Sequence, residues 1–284
     1  MSSEMSSRDL LIFATHWGHA DESRDVFIRR VSDAGFDGIE MALPVGPSER
    51  EGWTRAIEDA GLKLIAQQWE TVLYSDFQTH KQALYELLMN ACAAQPLMVN
   101  SHTGKDFYSM AQNVELLELA AAISHETGVQ IVHEIHRSRF SGHPVLLQPY
   151  LQRDPDLLLN ADLSHWCCAC ESLLEDQQPM LEQVFPHVRH IHARIGHSQG
   201  PQVNDFRAPE HAAALAQHLR WWDSIVAQQR AAGRSVTMTP EFGPVPYTQT
   251  LPYSQKEISS AWELNVAMMQ LLRQRYTLTE NAAA

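Results

Sequence analysis

Eight times in succession the chain passes from a short apolar run into a longer stretch with helical spacing, and this alternation limits its fold more than any other feature. Residues 10–14 lead to a helix expected over 21–34, where Val26, Phe27 and Val31 sit on one face before Gly35 stops the run. Residues 38–42, with Glu40 inside them, lead through Pro-Val-Gly-Pro to 48–60; 62–69 lead to 79–94, and 96–101 to 109–127, closed by Gly128. The later pairs are 129–136 with 144–153, 157–166 with 173–185, 188–194 with 210–232, and 236–243 with 258–275. Strands that read as apolar runs with a helix between each pair belong to a parallel sheet buried under helices. Eight such units close into a barrel whose interior is filled by side chains, and the 284 residues suit the usual size of about 250. A doubly wound open sheet is the competing fold, but no Gly-x-Gly-x-x-Gly follows any strand to hold a dinucleotide. With no repeat, linker or low-complexity segment, the expected organisation is one (β/α)8 TIM barrel over 9–278, between a tail at 1–8 and a tail at 279–284.

Four consecutive strands end in Glu134, Asp162, His192 and Glu241. In a barrel these ends meet at one mouth, the end where such barrels carry their active sites. Three carboxylates facing one another are costly without a cation, and oxygen ligands with one imidazole suit Mn²⁺, Co²⁺, Mg²⁺ or Zn²⁺. The set therefore reads as a site for one divalent metal ion; the alternative turns some of these acids outward or pairs them with Arg137 and Arg194. Strand alternation places Glu134 and His136 on one face and His133 on the other, toward the helices. By the same rule His190, His192 and Arg194 share a face, with His190 placed to orient His192 from below and Arg194 to hold a substrate oxygen.

Around these lie candidate substrate contacts. His165, just past Asp162, fits a polar contact or a proton transfer. His102 and Lys105 leave the fourth strand, and His16 and Trp17 leave the first. Trp17, Trp69 and Trp166 are placed either to stack on a sugar or to pack in the core. The loop 195–209, with Gly196, Gly200, Pro201 and Pro209, is long enough to be a lid or binding loop.

The charge balance narrows the partners: 21 Lys and Arg against 34 Asp and Glu give a net charge of −13, which disfavours DNA and RNA, whose phosphates are met by clustered cations. No apolar run reaches the roughly 20 residues that span a bilayer, and no apolar core follows a basic start, so no membrane partner and a cytoplasmic location are expected. Cys167, Cys168 and Cys170 lack the second cluster that would complete a soft-metal site, so with Cys92 they are expected as reduced thiols.

Asp37-Gly-Ile-Glu40, Glu134, Asp162-Leu-Ser-His165, His190-Ile-His192 and Glu241 together resemble the xylose isomerase-like TIM barrel superfamily of sugar isomerases and epimerases. The resemblance spans nearly the whole chain and implies a metal held by Glu134, Asp162, His192 and Glu241. It further implies that Glu134 and Glu241 are the acid/base pair, moving a proton next to a sugar carbonyl through a metal-stabilised enediolate. The chain departs from the better-known epimerases in the stretch from His192 to Gln202, where those enzymes grip the sugar. The leading expectation is thus a metal-dependent isomerase or epimerase of a small sugar or sugar derivative, with the barrel ends offering surfaces for a homo-oligomer. A lyase or dehydratase would use the same site, with His102 or His165 protonating a leaving group. An endonuclease IV-like hydrolase or a non-catalytic sugar-binding barrel are the remaining readings, the former opposed by the acidic balance.

Overall fold

A computed structural model describes residues 10–277; the tails expected at 1–8 and 279–284 lie outside the described residues. The strands are β1 (Leu10–Thr15), β2 (Gly38–Ala42), β3 (Lys63–Gln68), β4 (Met98–Ser101), β5 (Ile131–Glu134), β6 (Leu159–Ala161), β7 (Val188–His192) and β8 (Val236–Thr239). All pair in parallel in chain order, and β8 closes on β1 through Leu10↔Val236 and Ile12↔Met238, giving a single (β/α)8 barrel. The helices are α1 (Arg24–Ala34), α2 (Pro47–Asp59), α3 (Phe77–Cys92), α4 (Met110–Thr127), α5 (Pro144–Arg153), α6 (Leu163–Ala169), α7 (Gln178–Val184), α8 (Ala212–Ala231) and α9 (Ala261–Thr277). Among the described residues no helix is long and apolar enough to cross a membrane.

Local chemistry sets the boundaries. Asp76 caps α3 by accepting from Thr79 N; Ser109 and Gln112 form a reciprocal capping box on α4, which ends at left-handed Gly128 (φ 71°). The helix expected over 173–185 shortens to α7 because Glu171 and Leu174 take left-handed φ of 49° and 58°, which no helix continues through. The apolar run at 157–166 is likewise only partly strand. Asp162 accepts from Ser164 N at 3.2 Å and turns the chain into α6, so Ser164, His165 and Trp166 are helical.

Two packing regions result. Outward-facing strand residues such as Ile39, Val99, Ile191 and Met238 join one large apolar shell with the helices. Inside the barrel the apolar part is small: Phe13, Ile65, Met98 and Val132 form its floor. Gly38 makes room for that floor, since a Cβ there would lie 2.5 Å from the Phe13 ring and 2.4 Å from Lys63 O. Above the floor the interior turns polar, which departs from the expectation of continuously apolar strands.

Candidate metal centre at the barrel mouth

Strand alternation carries Glu40, Asn100, Asn160, His190 and Thr239 to the barrel axis directly above the floor, all of them buried. Two residues further along β6, β7 and β8 come Asp162, His192 and Glu241, and these join Glu134 at the end of β5, all four buried, each offering a ligand atom, with those atoms all within 4.8 Å of one another. Asp162 follows β6 and Glu241 follows β8, where Asn265 holds Phe242 N and O at 2.7 and 3.0 Å and so fixes the turn that presents Glu241.

The two layers are linked through His192. Its Nε2 donates to Glu40 Oε1 at 3.0 Å, leaving Nδ1 directed to the carboxylates. Nδ1 lies 3.0 Å from Glu241 Oε2, 3.6 Å from Glu134 Oε2 and 3.9 Å from Asp162 Oδ2. It has no hydrogen-bond partner although it is buried. An imidazole whose far nitrogen is anchored on a carboxylate, with its near nitrogen bare among three more, has the arrangement of a metal-bound histidine. Glu40 Oε2 also meets His190 Nε2 at 3.1 Å, and His190 Nδ1 meets Thr237 Oγ1 at 2.8 Å. Asn100 joins the layers, its Nδ2 donating to Glu40 Oε1 at 3.0 Å and to Glu134 Oε2 at 2.8 Å.

The charges at this place are strongly coupled, with Arg194 paired to Asp162 and Glu241. Burial disfavours charge on His192, yet the carboxylates of Glu241, Glu40 and Glu134 hold its pKa well above the ordinary value. Burial raises Asp162 to about 6, with Glu241 and Glu134 adding to the rise and Arg194 opposing it. In Glu134 burial is overcome by the charges of His102 and His192, so its carboxyl stays well below the usual range. In Glu40 burial is overcome by His192 and His190, with the same result. Three oxygen donors and one nitrogen, all buried and converging, fit a divalent ion of the Mg²⁺ to Zn²⁺ kind.

A cavity of about 510 Å³ opens over this centre, within the usual range for small-molecule sites of roughly 300–1,000 Å³. Its lining combines aromatic and apolar side chains, Trp17, Met41, Trp69 and Tyr247, with the polar and charged His102, Glu134, His136, Arg139, Arg194 and Glu241. Trp17 packs so closely on Gly243 that a Cβ there would lie 2.1 Å from the indole.

The expected site residues divide. Glu134, Asp162, His192 and Glu241 are brought together, and Trp17, Trp69, His16, His102 and His136 line the cavity. His102 Nε2 donates to Glu134 Oε2 at 2.9 Å. Arg194 also lines the cavity, where it is paired with Asp162 and, at 3.3 Å, with Glu241, and it donates to His165 Nε2 at 2.8 Å. His165 is fully buried behind His136, the rings 3.8 Å apart. Burial, with neighbouring positive groups, pushes the pKa of both well below the ordinary value. Lys105 departs from expectation: its Nζ donates to Val72 O at 2.8 Å, and the side chain does not line the cavity. Trp166 is core, its Nε1 donating to Ser141 O at 2.8 Å. The loop 195–209 is no lid: Gln202 is buried and bonds Gly243 O and N at 3.2 and 2.8 Å, so the loop buttresses the Glu241 turn from behind.

Glu40, Asn100 and Arg139 were not singled out by sequence as parts of the site. Alternation already gave a signal for Glu40, because on β2 it shares the inward face with Gly38 and Ala42, where an acid needs a partner.

No family model matches the chain, and no curated protein matches it. Solved structures do match in fold. A probable 3-DHS dehydratase, AsbF, involved in petrobactin synthesis in Bacillus anthracis, is 15% identical with a TM-score of 0.59, over 92% of this chain and 98% of that one. The 3-keto-D-glucoside 4-epimerase YcjR from E. coli is 12% identical with a TM-score of 0.62, over 93% and 99%. A xylose isomerase-like TIM barrel protein from Mycobacterium smegmatis, in complex with magnesium, is 14% identical with a TM-score of 0.59, over 93% and 97%. The chain shares the (β/α)8 TIM barrel fold of these structures.

Proposed function

We propose, from this fold and the buried set at its mouth, that the protein is a divalent-metal-dependent isomerase or epimerase of a sugar or sugar derivative. The observation that carries the reading is His192, anchored on Glu40 through Nε2 and bare at Nδ1 among Glu134, Asp162 and Glu241. The epimerase and the magnesium-bound barrel among the similar structures support it.

An ion held by these four residues would draw charge from a substrate oxygen and so acidify the neighbouring C–H. The remaining work falls to the chain. Glu134 and Glu241 stand at the ends of β5 and β8, with β6 and β7 between them, and so approach a bound sugar from separate directions. Glu134 is held as a carboxylate, ready to accept a proton, with the His102 Nε2–H 2.9 Å from its Oε2. Gln67 Nε2 steadies Glu241 Oε1 at 3.4 Å. Removal of a proton by one carboxylate and delivery of a different proton to the opposite face by the other, itself protonated beforehand, gives epimerisation; delivery at the adjacent carbon gives isomerisation. Trp17, Trp69 and Tyr247 supply apolar faces on which a sugar ring stacks and which exclude water.

His102 favours a second reading, a lyase or dehydratase. It lines the cavity beside Glu134 and is placed to protonate a departing oxygen once the same C–H is broken; the similar dehydratase supports this branch.

Solvent deuterium exchange tests both. With Mn²⁺, ketoses, aldoses or 3-keto-glycosides are expected to take up label next to a carbonyl. Chelation should stop the uptake, and Glu134→Gln or Glu241→Gln should each slow it by about a thousandfold, within the roughly 10²–10⁴ range of positioned acid/base groups. A product with a new conjugated double bond selects the lyase. Exchange that survives both substitutions would remove proton abstraction by these glutamates.

A further inference from the structure

On the wall of the cavity beside His102 stands a guanidinium that, among the described residues, no carboxylate meets as a close ion pair. Arg139 is only 2% exposed, yet among the described residues it forms no ion pair. Nη1 donates to Ser138 O at 3.1 Å, Nη2 meets His102 Nδ1 at 3.4 Å, and buried Nε has no partner. Lys105 repels it from nearby, and the carboxylates of Glu134 and Asp106 act on it only from beyond ion-pair distance. In a chain of net charge −13, where carboxylates are plentiful, a buried and unpaired cation is expensive.

Its support is rigid. Arg139 N bonds His136 O at 3.2 Å and Gly142 N bonds Arg139 O at 2.9 Å, while Ser141 Oγ donates to Glu134 O at 2.5 Å. The turn is therefore tied to the strand that bears Glu134, and the guanidinium is held in place before any ligand arrives.

We infer that Arg139 recognises an anionic oxygen group on the substrate, a carboxylate or a phosphate, so that the reacting molecule is a sugar acid or a sugar phosphate. This rests on the sugar reading above. A charge-assisted hydrogen bond from the guanidinium to such a group in the cavity it lines would supply the close ion pair that no carboxylate among the described residues makes with it. The bound sugar is thereby oriented: its anion lies at Arg139 and its reacting carbon toward Glu134 and Glu241.

The test is calorimetric binding of D-glucuronate, D-glucose 6-phosphate and neutral D-glucose to the Mn²⁺-loaded protein. At least one anion is expected to bind about tenfold or more tighter than glucose, the size of one charge-assisted bond; which anion does so separates carboxylate from phosphate. Arg139→Gln should collapse the ratio toward one, and Arg139→Lys should keep part of it and carries the test should the Gln variant fail to fold. The inference is overturned if neither anion outbinds glucose, if nothing binds, or if the preference survives Arg139→Gln and so belongs to the metal. It is equally overturned if the substitution weakens charged and neutral probes alike, the mark of a purely structural contact to His102. Binding is read apart from proton exchange. Exchange without anion preference removes only this inference, and anion preference without exchange removes only the proposed reaction.

Discussion

On β7, Ile191 points outward into the shell of apolar side chains, while His190 and His192 on either side of it point inward, to Glu40 and to the carboxylates. The same contrast holds for Ile39 beside Glu40 and for Val99 beside Asn100. Outside, cohesion comes from burial of apolar area, which is non-directional and distributed over many side chains. Inside, above Phe13, Ile65, Met98 and Val132, the contacts are directional and ionic. Buried ion networks are weak sources of stability and strong sources of placement. The comparison therefore assigns the folding energy to the outer face and the placement of chemical groups to the inner one.

The most forceful way to break that division is Ile191→Ala. It should cost about 2–5 kcal/mol in stability, as buried Ile truncations do, and leave the metal affinity of the folded fraction unchanged; urea unfolding and metal titration read the two quantities. A tenfold loss of affinity would show that the faces are not separable. Glu40→Gln sharpens the contrast from the other side. It removes the charge that anchors His192 Nε2, so metal affinity should fall by about 10–100-fold, read by metal titration of the folded fraction. The smallest effect lies in acid sensitivity. His218 is buried outside the barrel, its Nδ1 donating to Ala214 O at 2.9 Å and its Nε2 accepting from Gly196 N at 3.3 Å, and burial lowers its pKa to about 4. A lowered value means that the unfolded chain takes up the proton first, so this contribution is complete above the unfolded value of 6.5 and is lost as pH falls toward 4. Wild type should lose about 1 kcal/mol more than His218→Gln between about pH 7 and about pH 5.5, measured by denaturant midpoints.

Much of this arrangement was legible in the chain. The alternation of elements named the barrel, and strand ends named Glu134, Asp162, His192 and Glu241, because position along a strand fixes both the face and the height of a side chain. Glu40 was legible in part, as an acid inside a strand, but its role depends on His190 and His192, about 150 residues away. Asn100 and Arg139 carry no local pattern at all; what makes them matter is a partner brought near or withheld by the fold. Lys105 misled for the same reason. Leaving a strand at the correct end does not fix direction, and a long side chain turns aside when a free carbonyl such as that of Val72 lies within reach. The loop 195–209 misled because its glycines and prolines report irregular backbone, not mobility; Gln202 clamps it down.

The Asn100 amide, with one nitrogen serving both Glu40 and Glu134, has a consequence for how charge is felt in the barrel. It closes a circuit from Glu134 through Asn100, Glu40 and His190 to Thr237 at the lower rim. By reciprocity of linked equilibria, whatever an arriving ion does to the protons on this circuit, those protons do to the ion. An ion bound at the mouth would therefore be felt down the axis as far as the Thr237 hydroxyl, beyond the residues that line the cavity.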